Sequence, residues 1–209
     1  MVERRSALEG AARPGDFGTP AAGGPGVILG ERRSLAIVQV AALGERDAAV
    51  RGGIAAGCGV APAAEASRAA RGGGTAVLWS GPGRWLVVAA EQPGSDLAAR
   101  LEAALATAPA VVTDLGHART VLRVSGPSAR DLLAKGCPLD LHPRTFPVDA
   151  CAHSLLGHAG ILIHAVDAVP SFDLYLARSY ARSAWEWIEE SAAEYGCRVV
   201  APADLTGSG

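Results

Sequence analysis

Three side chains that can bind a metal ion lie within one short stretch of the chain, which reads CAHSLLGHAGILIH over residues 151–164. A hairpin with its turn centred on residues 158–159 would place His153 directly opposite His164, with Cys151 two residues along on the same face. Thiolate sulfur and imidazole nitrogen are ligands that zinc prefers. No fourth ligand is evident, and hairpin histidines are usually solvated or packed, so packing is the favoured interpretation and metal binding the alternative.

Two further groups of polar residues could do chemistry. His117 and Asp114 could form an acid/base pair, but residues three apart on a strand point to opposite faces, so His117 is interpreted as a turn residue. The arginines at 119, 123 and 144 could bind an anion together. Isolated arginines on strands and loops are more often surface residues with packed apolar stems, and that is the favoured interpretation of Arg119, Arg123 and Arg144.

Motifs that bind nucleotides or activate a serine nucleophile do not occur in the sequence. Neither Gly-x-Gly-x-x-Gly, nor a P-loop, nor Gly-x-Ser-x-Gly is present. Nucleotide binding by those loops and serine hydrolysis at a nucleophile elbow therefore have no support from the sequence. The chemistry of the residues specifies a fold better than it specifies an activity.

Composition and charge narrow the class of protein. A chain of 209 residues with 49% apolar side chains can form one large domain or two small ones with a buried core. Charged residues make up 19%, the formal net charge is −2, and Lys and Arg are scattered, which disfavours nucleic acid as a partner. The apolar runs are far shorter than the ~20 residues of a membrane helix, which predicts a soluble protein with no membrane contact.

The cysteines and the N-terminal residues predict a cytoplasmic location. The N-terminal stretch lacks the apolar core of a secretory signal. The cysteines are irregularly spaced without any Cys-x-x-Cys, which indicates reduced and mostly buried thiols. They are Cys58, Cys137, Cys151 and Cys197.

Residues 119–147 carry the clearest boundaries of secondary structure. Alternating apolar side chains predict a strand over 120–125. Pro127 has no backbone N–H, which is tolerated at the first position of a helix, and a helix is predicted over 127–135. Gly136 suits a left-handed position after the last helical turn, and Pro138 prevents the helix from continuing. The stretch therefore predicts a strand, a tight turn and a short helix.

The order of predicted elements repeats along the chain. Residues 34–116 read β-α-β-β-α-β, and residues 119–203 repeat that order with an additional strand. The other predicted elements are a strand from Leu35, a helix over 45–56, strands over 75–80 and 84–90, a helix capped by Ser95, strands over 110–115, 150–156, 161–166 and 172–177, a helix over 180–195 and a strand over 197–201. We predict an α+β fold of two tandem ferredoxin-like halves that pack as one body.

The first thirty residues differ in composition from the rest. Residues 1–30 are rich in Gly, Ala and Pro and have no apolar period. This composition predicts a flexible N-terminal arm that lies outside the core and orders only against a partner.

Two features are candidates for contact with another subunit. On a helical wheel of residues 180–195, Trp187 falls on the apolar arc and is predicted in the core, whereas Trp185 falls beside the charged face and is predicted at an interface. His142, Arg144 and Phe146 lie in a proline-flanked loop that suits recognition of a partner, with packing of the loop as the alternative.

Three stretches resemble the gamma subunit of heterotetrameric sarcosine oxidase. They read LWSGPGRWLVVA, LRVSGPSARDLLAKGCPLDLHPRTFP and CAHSLLGHAGILIHAVDAVPSFDLYLARSYARSAWEWIEESAAEYG. The resemblance covers residues 76–196 and fades towards the N-terminus. The run KGCPLDL over 135–141, and the run RSY over 178–180 with Trp185 and Trp187, follow the order of that family.

The same stretches are more distantly similar to the aminomethyltransferase of the glycine cleavage system and its folate-binding relatives. This similarity implies an aminomethyltransferase-like body of tandem split β-α-β units. Those enzymes carry an acidic residue just after a Gly-Ile-Leu-like segment, where this chain has Ile163 and His164. The similarity therefore implies a catalytically degenerate relative that acts as a structural subunit.

The resemblance also implies an activity and partners. Sarcosine oxidases of this type demethylate sarcosine oxidatively, form glycine and hydrogen peroxide, and transfer the one-carbon unit to tetrahydrofolate. FAD, FMN, NAD and tetrahydrofolate are implied on other subunits, with no catalytic or cofactor residue on this chain, and the larger alpha, beta and delta subunits are the implied partners. The alternative is a stand-alone folate-dependent one-carbon enzyme or folate-binding protein.

Overall fold

The computed structural model describes residues 5–19, 23–44, 47–90 and 96–201. The chain divides into two compact units. The larger unit comprises Met1–Arg33, Ala118–Val148 and His153–Gly209, and the smaller unit comprises Ser34–His117 and Asp149–Ala152. The fold is of the mixed α+β type with two sheets.

Most of the described chain consists of runs of strands that single helices separate. In order they are Gly15–Phe17 (β1), Val27–Arg32 (β2), Leu35–Ala42 (β3), Asp47–Cys58 (α1), Ala69–Gly72 (β4), Thr75–Gly81 (β5), Arg84–Ala90 (β6), Leu97–Ala104 (α2), Ala110–Asp114 (β7), Arg119–Ser125 (β8), Ala129–Ala134 (α3), Cys151–Leu156 (β9), Ala159–Asp167 (β10), Ser171–Ala177 (β11), Ala181–Ala192 (α4) and Cys197–Val199 (β12). Short 3-10 turns, Arg178–Tyr180 and Ala193–Tyr195, flank α4. None of the helices in the described ranges has the length and apolar content needed to cross a membrane.

The smaller unit contains a five-stranded antiparallel sheet in the order β4-β5-β6-β3-β7. Alternation along β3 places Val38 and Val40 on one face, where they pack with buried residues of α1 and α2. Ile54 of α1 and Leu101 of α2 are fully buried in this core. The hairpin predicted over residues 75–90 is confirmed as β5 and β6.

The start of α2 differs slightly from the prediction. The predicted cap, Ser95, lies outside the described residues. Asp96 caps the helix, because its carboxylate accepts a hydrogen bond from the Ala99 backbone N–H at 3.0 Å. Leu97 and Leu101 form the buried side of this helix.

The larger unit contains a seven-stranded sheet in the order β1-β12-β2-β8-β11-β10-β9. Strand β12 pairs parallel with β2, whereas β8 pairs antiparallel with both β2 and β11. Helix α3 packs on one face of the sheet, where the Arg130 guanidinium lies 5.1 Å from the centre of the Phe172 ring. Leu132 and Leu133 of α3 are fully buried, which confirms the helix predicted from the apolar spacing.

Strand β2 corrects the prediction of an N-terminal arm. The prediction that residues 1–30 lie outside the core is wrong for Val27 and Leu29, which are 0% and 1% exposed in the interior of the larger sheet. Leu8 is also buried. The apolar run of β2 is only a few residues long and follows a Gly/Pro-rich stretch. The composition of residues 1–30 as a whole therefore predicts a flexible arm rather than a strand. The sheet supplies the hydrogen bonds that make this short run a strand.

The orientation of α4 is the second correction. Trp185 is 1% exposed and Trp187 is half-buried, the reverse of the prediction. The predicted apolar arc includes Tyr180 and Tyr195, and both residues lie in the flanking 3-10 turns rather than in α4. The buried stripe instead consists of Ala181, Ala184, Trp185, Ile188 and Ala192.

The side chain of Trp187 explains Gly136, which follows α3. The prediction that Gly136 adopts a left-handed conformation is wrong, since its φ is not positive. A Cβ at this position would lie 2.5 Å from Cζ2 of Trp187 and 3.2 Å from the backbone nitrogen of Gly157. Glycine is therefore needed here for the close approach of the Trp187 ring rather than for its backbone freedom.

Candidate functional site

A row of residues crosses the central strands of the seven-stranded sheet. Arg123 on β8 lies opposite both Gly30 of β2 and Asp173 of β11. Asp173 in turn lies opposite His164 of β10. Directly opposed residues share one face of a sheet, and Phe172, the neighbour of Asp173, faces α3. Arg123, Asp173 and His164, here called the polar row, therefore lie on the face turned away from α3.

A buried ion pair forms the centre of the polar row. Nε and Nη2 of Arg123 donate hydrogen bonds to the two carboxylate oxygens of Asp173 at 2.8 and 2.9 Å. Arg32, at the end of β2, donates through Nη1 to the same carboxylate at 2.6 Å. Asp173 is 1% exposed and Arg123 is 5% exposed, so this two-point contact is shielded from water. Such bidentate, charge-assisted contacts are the stronger form of the interaction.

The two arginines keep Asp173 ionised. Burial by itself raises the pKa of Asp173, but the hydrogen bonds and charge of Arg123, together with the charge of Arg32, outweigh burial and leave that pKa below its usual value. Burial also lowers the pKa of Arg123, and the contact with Asp173 outweighs it, so the pKa of Arg123 is raised. Both partners of the ion pair are therefore charged at neutral pH.

This arrangement is suited to holding strands together and unsuited to proton transfer. A general base works best with a pKa near the operating pH and a free lone pair close to the substrate. Asp173 has a lowered pKa, accepts hydrogen bonds from two guanidinium groups and is shielded from water. The sheet position next to it carries His164, which is 2% exposed. The polar row therefore contains a carboxylate, but one that is already neutralised.

Acid should destabilise the chain through Asp173. Because its pKa is lower in the folded chain than the ordinary value of 3.8, the ionised carboxylate contributes stability that is present above about pH 4 and is lost as the pH falls through the folded pKa. Urea unfolding measured from about pH 6 to about pH 2 should show this loss. Asp173→Asn should lose less stability over the same range, and an equal loss in both proteins would contradict the assignment.

The hairpin formed by β9 and β10 does not bring the three candidate metal ligands together. Strand β9 ends at Leu156 and β10 begins at Ala159, so the turn is one residue earlier than predicted, at Gly157, which takes a positive φ of 57°. Cys151 and His164 are buried, whereas His153 is exposed. In the described ranges, no three or more His, Cys, Asp or Glu side chains are placed to hold a metal ion.

The thiol of Cys151 is also a poor metal ligand in its present surroundings. Burial raises the pKa of Cys151 to about 12, so the sulfur stays protonated at neutral pH. Its Sγ lies 3.5 Å from the backbone oxygen of Trp79. The cysteine is therefore part of the packing around β5.

The other groups singled out in the sequence are also separated or occupied. Arg123 is buried in its ion pair and Arg144 is exposed on the loop after α3, so they form no joint anion site with Arg119. His117 is exposed in a turn, as predicted, and Asp114 accepts a hydrogen bond from the Gly116 N–H at 2.8 Å. The acid/base pair considered for these residues is not formed.

The predicted interface residues have different surroundings. His142 and Arg144 are exposed, and the Arg144 N–H donates to Nδ1 of His142 at 3.2 Å. Phe146 is only 6% exposed, because the loop turns back with a hydrogen bond from the Phe146 N–H to the His142 carbonyl at 2.8 Å. A surface role for Phe146 and for the fully buried Trp185 is therefore wrong, whereas His142 and Arg144 remain candidates.

The sequence contained one signal for the ion pair that the prediction missed. Arg123 interrupts the apolar run of β8, and Asp173 interrupts that of β11. A single charge inside a strand that is otherwise buried needs a partner. Pairing two such interruptions of opposite sign would have predicted the contact and the neighbouring order of these two strands.

The sequence of this chain is similar to those of sarcosine oxidase gamma subunits. A sequence model of the sarcosine oxidase gamma subunit family matches residues 45–194. Sarcosine oxidase subunit gamma from Corynebacterium sp. strain P-1 is 39% identical over 128 residues, which are 61% of this chain and 62% of that protein. The chain thus aligns with somewhat less than two thirds of the length of this relative.

Two solved structures are similar to the fold. A chain of the heterotetrameric sarcosine oxidase from Corynebacterium sp. U-96 matches with a TM-score of 0.74 and 31% identity, over 81% of this chain and 85% of that chain. Aminomethyltransferase T of the glycine cleavage system from Bartonella henselae matches with a TM-score of 0.63 and 14% identity, over 92% of this chain and 57% of that chain. The second match concerns the fold alone. With the family match extending over most of the chain, the protein belongs to the sarcosine oxidase gamma subunit family.

Proposed function

We propose that this chain is a non-catalytic structural subunit of a heterotetrameric sarcosine oxidase. Such an enzyme demethylates sarcosine oxidatively to glycine, forms hydrogen peroxide and transfers the one-carbon unit to tetrahydrofolate. The family match and the similarity to a chain of a heterotetrameric sarcosine oxidase support the role of a subunit. The observation that carries the non-catalytic part is the state of Asp173, the carboxylate at the centre of the polar row, which two arginines neutralise.

The proposed assembly places the reactive groups on other chains. FAD, FMN, NAD and tetrahydrofolate would be bound by the alpha, beta and delta subunits, and this chain would contribute none of their ligands. The sequence has no dinucleotide fingerprint. The buried carboxylate that could otherwise act as a base is held by Arg123 and Arg32.

We further propose that the smaller unit is a ferredoxin-like half. A ferredoxin-like unit follows the chain order β-α-β-β-α-β, with both helices on one face. The elements β3, α1, β5, β6, α2 and β7 follow that chain order. Their strands lie side by side as β5-β6-β3-β7, and β4 extends the sheet at its edge.

The larger unit is proposed to be a second ferredoxin-like half into which one strand has been inserted. Strands β8, β10, β11 and β12, with α3 and α4, provide the same succession of elements. Their order in the sheet is β12, β8, β11 and β10 once β2 is disregarded. Strand β2 lies between β12 and β8, so we propose that an N-terminal strand has been inserted into an otherwise ferredoxin-like sheet.

A cytoplasmic location is proposed on the basis of the cysteines. All four are free thiols in the structure and all four are buried. Buried free cysteines are typical of proteins in reducing compartments. Burial also raises the pKa of Cys197 to about 11, which keeps that thiol unreactive.

The purified chain by itself tests the proposal against the folate-dependent alternative. We expect no flavin absorbance, no peroxide on addition of sarcosine and no saturable binding of tetrahydrofolate in calorimetric titration. Aminomethyltransferase T of the glycine cleavage system, titrated in parallel, would serve as the positive control. Peroxide formation by the flavin-free chain, or tight binding of tetrahydrofolate to it, would overturn the non-catalytic assignment.

A further inference from the structure

Arginines are concentrated at one end of the larger unit, where β2 ends and β8 begins. Arg119 opens β8 and lies opposite Ala177 of β11. The Arg178 N–H donates to the carbonyl of Ala118 at 2.9 Å, which places Arg178 beside Arg119. The Arg178 side chain also donates through Nη2 to the carbonyl of Arg5. The group, here called the arginine end, consists of Arg5, Arg32, Arg33, Arg119 and Arg178.

Three of the five arginines at the arginine end pair with carboxylates. Glu31 is 5% exposed and pairs with Arg33 at 2.9 Å. Asp173 is buried and pairs with Arg32 as well as with Arg123, and the exposed Glu9 pairs with Arg5 at 3.1 Å. In these contacts three carboxylates pair with three of the five arginines of the arginine end. This local excess of positive charge contrasts with the formal net charge of −2 for the whole chain.

Two of the arginines have no acidic partner in the described part of the chain. Arg119 is half-buried and forms no ion pair there, and Arg178 donates only to a main-chain carbonyl. A half-buried guanidinium has given up part of its hydration and favours a carboxylate near it. Tyr180, two residues after Arg178, is 48% exposed. Arginine and tyrosine are the residue types enriched where protein interfaces gain most of their energy.

We propose that the arginine end, with Tyr180, docks an acidic surface segment of another subunit of the oxidase. Carboxylates of that segment would pair with Arg119 and Arg178, and Tyr180 would supply apolar contact area beside them. Complementary charge of this kind directs association and fixes the orientation of the partner. The inference rests on the proposed function, since it names the face by which this subunit joins the others.

Charge reversal at the two arginines without acidic partners tests this proposal. The tagged chain is expressed together with the other three subunits, and the assembled fraction is measured by affinity capture and size-exclusion chromatography. Arg119→Glu with Arg178→Glu should reduce assembly at least tenfold, because like charges would then face each other. Assembly of the wild type should also weaken with added salt, and that of the variant should depend less on salt.

A matched variant separates docking from folding and from general charge effects. Arg84 is exposed at the hairpin of β5 and β6, so Arg84→Glu should leave assembly unchanged. The milder pair Arg119→Gln with Arg178→Gln should assemble less well than wild type while keeping its thermal midpoint, which covers the case in which the reversed pair fails to fold. Wild-type assembly that persists at full strength in both arginine pairs would overturn this inference alone. Failure of the wild-type chain to join the other subunits would overturn the proposed function, and this inference with it.

Discussion

Replacing Asp173 by alanine should lower the free energy of unfolding by about 3–5 kcal/mol. The substitution leaves the guanidinium of Arg123, which is 5% exposed, in a dehydrated position without its carboxylate. Removing one member of a buried ion pair costs far more than the net contribution of the pair, because the remaining charge stays buried. Urea denaturation of the isolated chain, followed by circular dichroism, measures the change.

The chain contains a matched control for this experiment. Arg198 and Asp16 form the same two-point contact across β12 and β1, at 2.7 and 2.9 Å, but both side chains are exposed. Water solvates the remaining arginine when such an exposed partner is removed, so Asp16→Ala should change stability far less than Asp173→Ala. Equal losses of stability in the two variants would show that the contribution of Asp173 to stability does not depend on its burial.

Truncation of Trp185 should have an effect of similar size. Trp185→Ala should cost about 3–5 kcal/mol, because the indole is 1% exposed in the stripe that α4 buries. Trp187→Ala should cost about 1–2 kcal/mol, because the ring is half-buried and packs over Gly136. The two denaturation midpoints, measured on the isolated chain, give the comparison.

A conservative substitution sharpens this test. Nε1 of Trp185 has no hydrogen-bond partner within the described residues. Trp185→Phe therefore removes volume but no hydrogen bond, and it should lose much less stability than Trp185→Ala. If Trp187→Ala proved more damaging than Trp185→Ala, the orientation of α4 described above would be wrong.

Much of the fold follows from local patterns in the sequence. The strand, turn and helix over residues 119–135 and the hairpin over 75–90 are specified by short-range apolar periodicity together with proline and glycine, and these elements were predicted close to their observed bounds. Strand β2 was missed because its apolar run is short and its stabilising hydrogen bonds come from β8 and β12, which are distant in sequence.

Two further errors concern the orientation of α4 and the partner of Arg123. The predicted apolar arc of α4 includes Tyr180 and Tyr195, which lie in the flanking 3-10 turns, whereas the observed buried stripe contains Trp185. The contact of Arg123 with Asp173 spans 50 residues, so it is visible in the sequence only when the charged interruptions of β8 and β11 are compared with each other. The family resemblance, in contrast, was carried by runs of residues whose identity is visible directly in the sequence, and the family match confirms it.

The central claim, that this chain is a subunit of a sarcosine oxidase without a reacting group of its own, is tested most directly by affinity purification from the organism that makes it. The tagged chain should bring down the larger flavin-bearing subunits, and the eluate should be yellow and should produce hydrogen peroxide when sarcosine is added. The chain purified apart from these subunits should do neither. Recovery of the chain without any flavoprotein partner, together with tight binding of tetrahydrofolate by the chain itself, would contradict the claim.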